Sequence, residues 1–76
     1  MKSMQISLQM ASEVKSFVSI VQNYTYDIEL RSDRYVVDAK SLLGIFSLDL
    51  SKPVTVEIHS NDCDDLIKEL SQFSIK

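Results

Sequence analysis

The apolar residues of this chain follow two spacings, one with a period of two and one with a period near 3.6. Alternation with polar residues occurs over 4–10, 26–30, 35–38 and 54–59, and it predicts four strands that each bury one face. The polar stretch 31–34 separates the second and third of these strands and predicts a hairpin.

Three other segments have helical spacing. Val14, Phe17, Val18 and Val21 fall at i, i+3, i+4 and i+7 and predict an amphipathic helix, with Ser12 as its N-cap. Residues 41–50 carry apolar side chains too densely for an alternating strand and predict a short helix that ends before Pro53. A last helix is expected after residues 61–62, which look like an N-cap.

The resulting order, β-α-β-β-α-β-α, predicts the α+β class: a four-stranded antiparallel sheet with helices on one face and water on the other. Thr55, Glu57 and His59 are expected on the open face. The length of 76 residues and the absence of a linker predict one domain over 1–76.

The composition of the chain excludes several classes of function. Eight basic against eleven acidic residues give a net charge of −3, which argues against nucleic-acid and anionic-membrane binding. One Cys, one His and one Gly exclude an internal disulfide, a multi-cysteine or two-histidine metal motif and a glycine-rich phosphate loop. No run approaches the roughly 18 apolar residues of a membrane span. A cytoplasmic protein without a cofactor or metal, and without a recognisable catalytic centre, is expected.

An acidic cluster and the cysteine lie at the start of the last helix. The cluster could coordinate a divalent cation, but capping of the helix is favoured for all its members: Asn61, Asp62, Asp64 and Asp65. Cys63 lies between them, and we expect it to be partly exposed and unreactive.

One segment carries a family resemblance. Residues 37–48, Val-Asp-Ala-Lys-Ser-Leu-Leu-Gly-Ile-Phe-Ser-Leu, resemble the central segment of the HPr family, the histidine-containing phosphocarriers of the bacterial sugar phosphotransferase system. In that family a strand ends in Asn-Ala-Lys-Ser or similar, and an apolar pair, Gly, two apolar residues and Ser-Leu follow. Asp38 replaces the usual Asn. The resemblance implies the family's open-faced β-sandwich.

The resemblance also implies a loop after the first strand that contains His-Ala-Arg-Pro, whose His accepts the phosphoryl group from enzyme I. Here the strand runs to Met10, the helix begins within 11–13, and no His, Arg or Pro lies between them. Glu13 would repel a phosphate at that helix end. His59, on the open sheet face, is expected to be a surface or structural residue. We therefore expect histidine phosphotransfer to be absent.

Two further roles are implied by the resemblance. Ser41 matches the serine that HPr kinase/phosphorylase modifies in the Gram-positive branch, although it can equally be a helix N-cap. Leu42, Leu43 and Phe46 match the apolar residues that dock to enzyme I, to IIA components and, after serine phosphorylation, to a transcriptional regulator. They could instead be covered by neighbouring structure or form a homodimer contact.

Three functions therefore stay open. The first is a regulatory docking module that lacks histidine phosphotransfer and is switched at Ser41. The second is a working phosphocarrier of the sugar phosphotransferase system. The third is a structural or homo-oligomerisation domain.

Overall fold

The computed structural model describes residues 1–74 of the chain, and the predicted order of elements is confirmed there. The last two residues of the predicted single domain, 75 and 76, lie outside the described residues. The elements are β1 (Lys2–Ile6), α1 (Ala11–Val21), β2 (Ile28–Ser32), β3 (Tyr35–Asp38), α2 (Leu42–Phe46), β4 (Val54–Ile58), α3 (Asp64–Leu70) and a one-turn 3₁₀ helix (Ser71–Phe73). None of the helices within residues 1–74 has the length and apolar character needed to cross a bilayer.

The strands form one antiparallel sheet in the order β1-β4-β2-β3, so the predicted α+β class is confirmed. Met4, Val56, Leu30 and Val37 face each other across the four strands, and their side chains share the face that the helices cover. The core between sheet and helices is apolar, and the largest fully buried side chain in it is Phe17 of α1.

The opposite face of the sheet is polar, as the alternation in β4 predicted. Val54, Val56 and Ile58 are buried, whereas Thr55 and Glu57 between them are half-buried on the other face. Glu57 accepts a hydrogen bond from Nη2 of Arg31 on the neighbouring strand at 3.0 Å. This face therefore carries charged cross-strand pairs instead of a second apolar layer.

The first strand is shorter than its alternation predicted. It ends at Ile6, and the extended chain beyond it still buries Leu8 completely. The Ser7 amide donates to the carbonyl of Phe73 at 2.9 Å, and Ile6 bridges Ser74. Because the 3₁₀ helix after α3 approaches here, the backbone at the end of β1 bonds to Phe73 and Ser74 of the C-terminal segment. Met10 accordingly leaves the buried face and is 64% exposed.

The helix boundaries also differ from the prediction. The N-cap of α1 is Met10 and not Ser12, and α2 ends at Phe46 instead of near residue 50. The N-cap of α3 is Cys63, whose side chain is fully buried, so the expectation of a partly exposed thiol was wrong. It packs in the core because the turn before α3 directs it inward while the flanking aspartates remain exposed.

Candidate docking helix and phosphorylation site

A fixed turn presents the beginning of α2. Oδ1 of Asp38 accepts a hydrogen bond from the Lys40 amide at 2.9 Å, and the Asp38 carbonyl accepts one from the Ser41 amide at 3.0 Å. Between them, Ala39 is fully buried and its amide donates to the Ile28 carbonyl at 3.0 Å. An aspartate forms this side-chain turn as well as the family's asparagine, because both supply the acceptor oxygen.

Ser41 is exposed and caps α2. Its Oγ accepts a hydrogen bond from the Gly44 amide at 3.2 Å, and its backbone is extended, as an N-cap residue requires. Gly44 makes this close approach possible, since a Cβ at that position would lie 3.1 Å from the serine Oγ. The capping interpretation of Ser41 is therefore correct, and the hydroxyl is also accessible from solvent.

Lys40, beside the serine, is engaged by the rest of the protein. Its Nζ donates to the carbonyl of Tyr24 at 2.7 Å in a part-buried contact that joins the α2 turn to the segment between α1 and β2. No sequence pattern assigned this lysine a role. The missed signal is the adjacent Asp38 turn, which fixes the direction in which the lysine leaves the chain.

We call Leu42, Leu43 and Phe46 the α2 patch, and only part of this patch is exposed to solvent. Leu43 is 82% exposed and Phe46 is 43% exposed. Leu42 is half-buried against the core, so only two of the three residues that match the family's docking surface are freely exposed. Ile45, on the inner side of the helix, is fully buried. A five-residue helix that packs against both α1 and β3 must turn one more leucine inward.

A carboxylate occupies the start of α1. Oε1 of Glu13 accepts hydrogen bonds from the amides of Met10 at 3.0 Å and of Gln9 at 3.2 Å. Backbone N–H groups at a helix start are the groups that bind a phosphate when one is present. Here an internal carboxylate already binds the amide of the N-cap Met10 and that of Gln9 before it, so Glu13 places a negative charge at this helix start, as the sequence predicted.

His59 lies on the open sheet face, away from the helices. Its Nε2 is 2.8 Å from Oε1 of Glu29, and its amide donates to the Asp27 carbonyl at 2.9 Å. The ring lines a shallow cleft together with Asp38 and Lys40. The structure therefore does not bring the histidine to the beginning of α1.

The acidic cluster before α3 makes contacts within the protein. Oδ1 of Asp64 lies 3.1 Å from Nζ of Lys2, and Oδ1 of Asn61 accepts a hydrogen bond from the amino group of Met1 at 2.9 Å. Asp64 and Asp65 occupy the first turn of α3, where negative charge is favourable. Over residues 1–74, no three His, Cys, Asp or Glu side chains lie close enough to hold a metal ion.

Comparison with known proteins gives concordant results. The family sequence model described as "PTS HPr component phosphorylation site" matches residues 9–74. The HPr-C-His protein of Thermoanaerobacter tengcongensis is similar in structure, with a TM-score of 0.80, 28% identity and coverage of 95% of this chain and 89% of that one. The phosphocarrier protein HPr of Bacillus anthracis has a TM-score of 0.73 and 26% identity over 97% of this chain and 94% of its own.

A more distant structure shares the fold. The histidine-containing phosphocarrier protein of a mycoplasma superposes with a TM-score of 0.73 at 16% identity, covering 93% of this chain and 86% of that one. Comparison with curated protein sequences gives no match.

Proposed function

Because the chain belongs to the HPr family of phosphocarriers, whose members are carriers and not enzymes, we propose that it is a protein-docking module of the phosphotransferase system without histidine phosphotransfer. The observation that carries this proposal is the start of α1, where Glu13 binds the Gln9 and Met10 amides and no histidine is present. Phosphotransfer at this point would lack its acceptor ring, and the Glu13 carboxylate would repel the phosphate.

The proposal is tested with labelled phosphoenolpyruvate and enzyme I. The HPr of Bacillus anthracis serves as the positive control. We expect acid-labile label on the control and none on this chain. Acid-labile label that disappears in His59→Ala would contradict the proposal and favour a working phosphocarrier with an unusual acceptor.

The α2 patch is the surface we assign to partner proteins. Leu43 and Phe46 expose apolar area next to each other on a short helix, and burying such area against a partner is favourable. By family, the candidate partners are enzyme I, IIA components, HPr kinase and a transcriptional regulator. A cytoplasmic location fits these partners.

Docking is measured by calorimetry with purified enzyme I and a IIA protein. Leu43→Asp and Phe46→Asp are each expected to weaken binding by about tenfold or more, since each replaces apolar contact area with a charge that must lose its water. Val36→Asp is the matched control, because Val36 is also 40% exposed but lies on β3. Equal weakening by all three changes would contradict docking through the α2 patch. If sedimentation shows a homodimer that Leu43→Asp dissociates, the patch is an oligomer interface instead.

Ser41 is the proposed switch. Its hydroxyl is exposed, and a phosphate there would add a charge of roughly −1.5 to −2 next to the α2 patch, which changes the surface a partner meets. ATP and HPr kinase/phosphorylase should introduce acid-stable label that Ser41→Ala abolishes. Ser47→Ala is the control, because Ser47 is exposed at the other end of the same helix and its hydroxyl donates to the Gly44 carbonyl. Label that persists in Ser41→Ala would contradict the assignment.

A further inference from the structure

A second cleft lies away from the start of α1, between the β2–β3 hairpin and the residues that follow α2. It has a volume of about 440 Å³, within the range of small-molecule pockets. Tyr35 and Leu48 line it with apolar surface, and Tyr35 is 67% exposed while Leu48 is 9% exposed. The cleft therefore has a shielded wall on one side and an accessible aromatic ring on the other.

A largely buried serine lines this cleft. Ser32 is the only buried polar residue within residues 1–74, with 6% of its surface exposed, and its hydroxyl bonds to no other residue in that range. Every fully enclosed side-chain nitrogen or oxygen over the same residues has a hydrogen-bond partner. The Ser32 hydroxyl must therefore keep accessible surface, and the cleft that it lines is where a partner for it can enter.

The two charged residues that line the cleft are acidic, and Lys52 lies close enough to one of them, Asp49, to contribute to lowering its pKa. Asp33 and Asp49 line the cleft, no Lys, Arg or His does, and neither carboxylate forms an ion pair within the part of the chain that the structure describes. The amide and hydroxyl of Ser51 donate to Oδ1 of Asp49 at 3.1 and 2.6 Å. These bonds lower the pKa of Asp49 below its usual value, so the group is ionised at neutral pH.

We propose that this cleft binds a small organic cation, an ammonium or guanidinium group on an apolar stem. The two carboxylates neutralise the cation, the Ser32 hydroxyl accepts a hydrogen bond from it, and the Tyr35 ring covers the stem or the charge itself. The cleft around His59 differs because Lys40 lines it, and Glu29 in it already contacts the histidine at 2.8 Å. The cleft around His59 therefore provides the matched control.

The probe is benzylamine, titrated into the ¹⁵N-labelled protein, with benzyl alcohol as its uncharged counterpart. We expect saturable amide shifts confined to 32–37 and 47–49 with the amine and none with the alcohol. A second titration with acetyl-Ala-Arg-Ala-amide distinguishes the source of the cation. Tighter binding of the peptide indicates a side chain of a protein, and tighter binding of the amine indicates a free molecule. Absence of saturable shifts with both probes, or equal shifts with the alcohol, would overturn the proposal.

Two double variants distinguish binding at a specific site from general attraction of a cation to an acidic protein. Asp33→Asn with Asp49→Asn is expected to raise Kd about fivefold, from two partly exposed charge contacts. Asparagine tolerates the left-handed backbone of Asp33 (φ 54°) and keeps the acceptor for Ser51, so folding is retained. Glu29→Gln with Asp38→Asn removes the same charge from the other cleft and should leave Kd unchanged. Equal effects of the two double variants would reduce the binding to net charge and refute a specific site.

Discussion

The carboxylate of Glu13 makes a contribution to stability that can be measured. Glu13→Ala leaves the amides of Gln9 and Met10 without their acceptor and removes a negative charge from the N-terminus of α1. Both amides are exposed, so water replaces the lost bonds and each costs only about 0.5 kcal/mol. The charge at the helix start adds about 0.5 kcal/mol, and the better helix propensity of alanine offsets a few tenths. We expect a loss of about 1 kcal/mol, or about 4–8 °C in Tm for a domain of this size.

Urea unfolding followed by circular dichroism gives the free energy of unfolding. Glu13→Gln keeps an acceptor oxygen, so it should lower the free energy of unfolding by about half as much as Glu13→Ala. The loss caused by Glu13→Gln should become smaller in ~1 M salt, because salt screens the charge that the substitution removes. Ser12→Ala is the decisive control. Ser12 is exposed and is not the N-cap, so this change should stay within about 0.5 kcal/mol of the parent. If Ser12→Ala costs more than Glu13→Ala, the helix begins where the sequence alone predicted, and the reasoning about Glu13 is refuted.

Three further outcomes are expected. Leu43→Asp should change the free energy of unfolding by less than about 0.5 kcal/mol because Leu43 is exposed, whereas Ile45→Ala should cost about 2–4 kcal/mol through the cavity it leaves. The hydrogen bond from the Tyr24 phenol to the Glu69 carboxylate raises the pKa of Tyr24 to about 12, so absorbance at 295 nm should show Glu69→Gln lowering it towards 10. The pKa of Tyr24 is higher in the folded than in the unfolded protein. The contribution of this hydrogen bond to the free energy of unfolding is therefore complete below pH 10 and is lost between pH 10 and 12. Ellman's reagent should modify the buried Cys63 only after unfolding, and rapid reaction of the native protein would contradict its burial.

The sequence predicted the order of elements because each element has its own periodicity, and one buried face per strand or helix is enough to define it. It misplaced several boundaries for tertiary reasons. Alternation continues to Met10, but Ser7 bonds to Phe73, more than sixty residues away, and no local pattern records that contact. Ser12 has the better capping side chain, but the backbone turns into the helix at Met10, where Glu13 supplies the acceptor.

Part of the candidate site could also be predicted from the sequence. Ser41, at the start of the predicted second helix, was a candidate N-cap, and the hydrogen bond from the Gly44 amide to its Oγ confirms it. The exposure of Leu42 was not predictable, because a helix with apolar residues on nearly all sides does not say which of them faces the core. The anchoring of Lys40 on the Tyr24 carbonyl depends on two segments that meet only in the folded chain.

The sheet order has a consequence for synthesis of the chain. β4 lies between β1 and β2, so β1 has no strand to pair with until about 50 later residues have been translated. At roughly 5–20 residues per second, this interval is about 3–10 s, far longer than the microseconds in which the adjacent β2–β3 hairpin can form. A chain that ends before residue 54 should therefore contain no closed sheet, and its β2–β3 hairpin should be only marginally stable. The arrival of five residues, Val54–Ile58, closes the sheet, and the core is complete only when Leu66, Leu70 and Phe73 have followed.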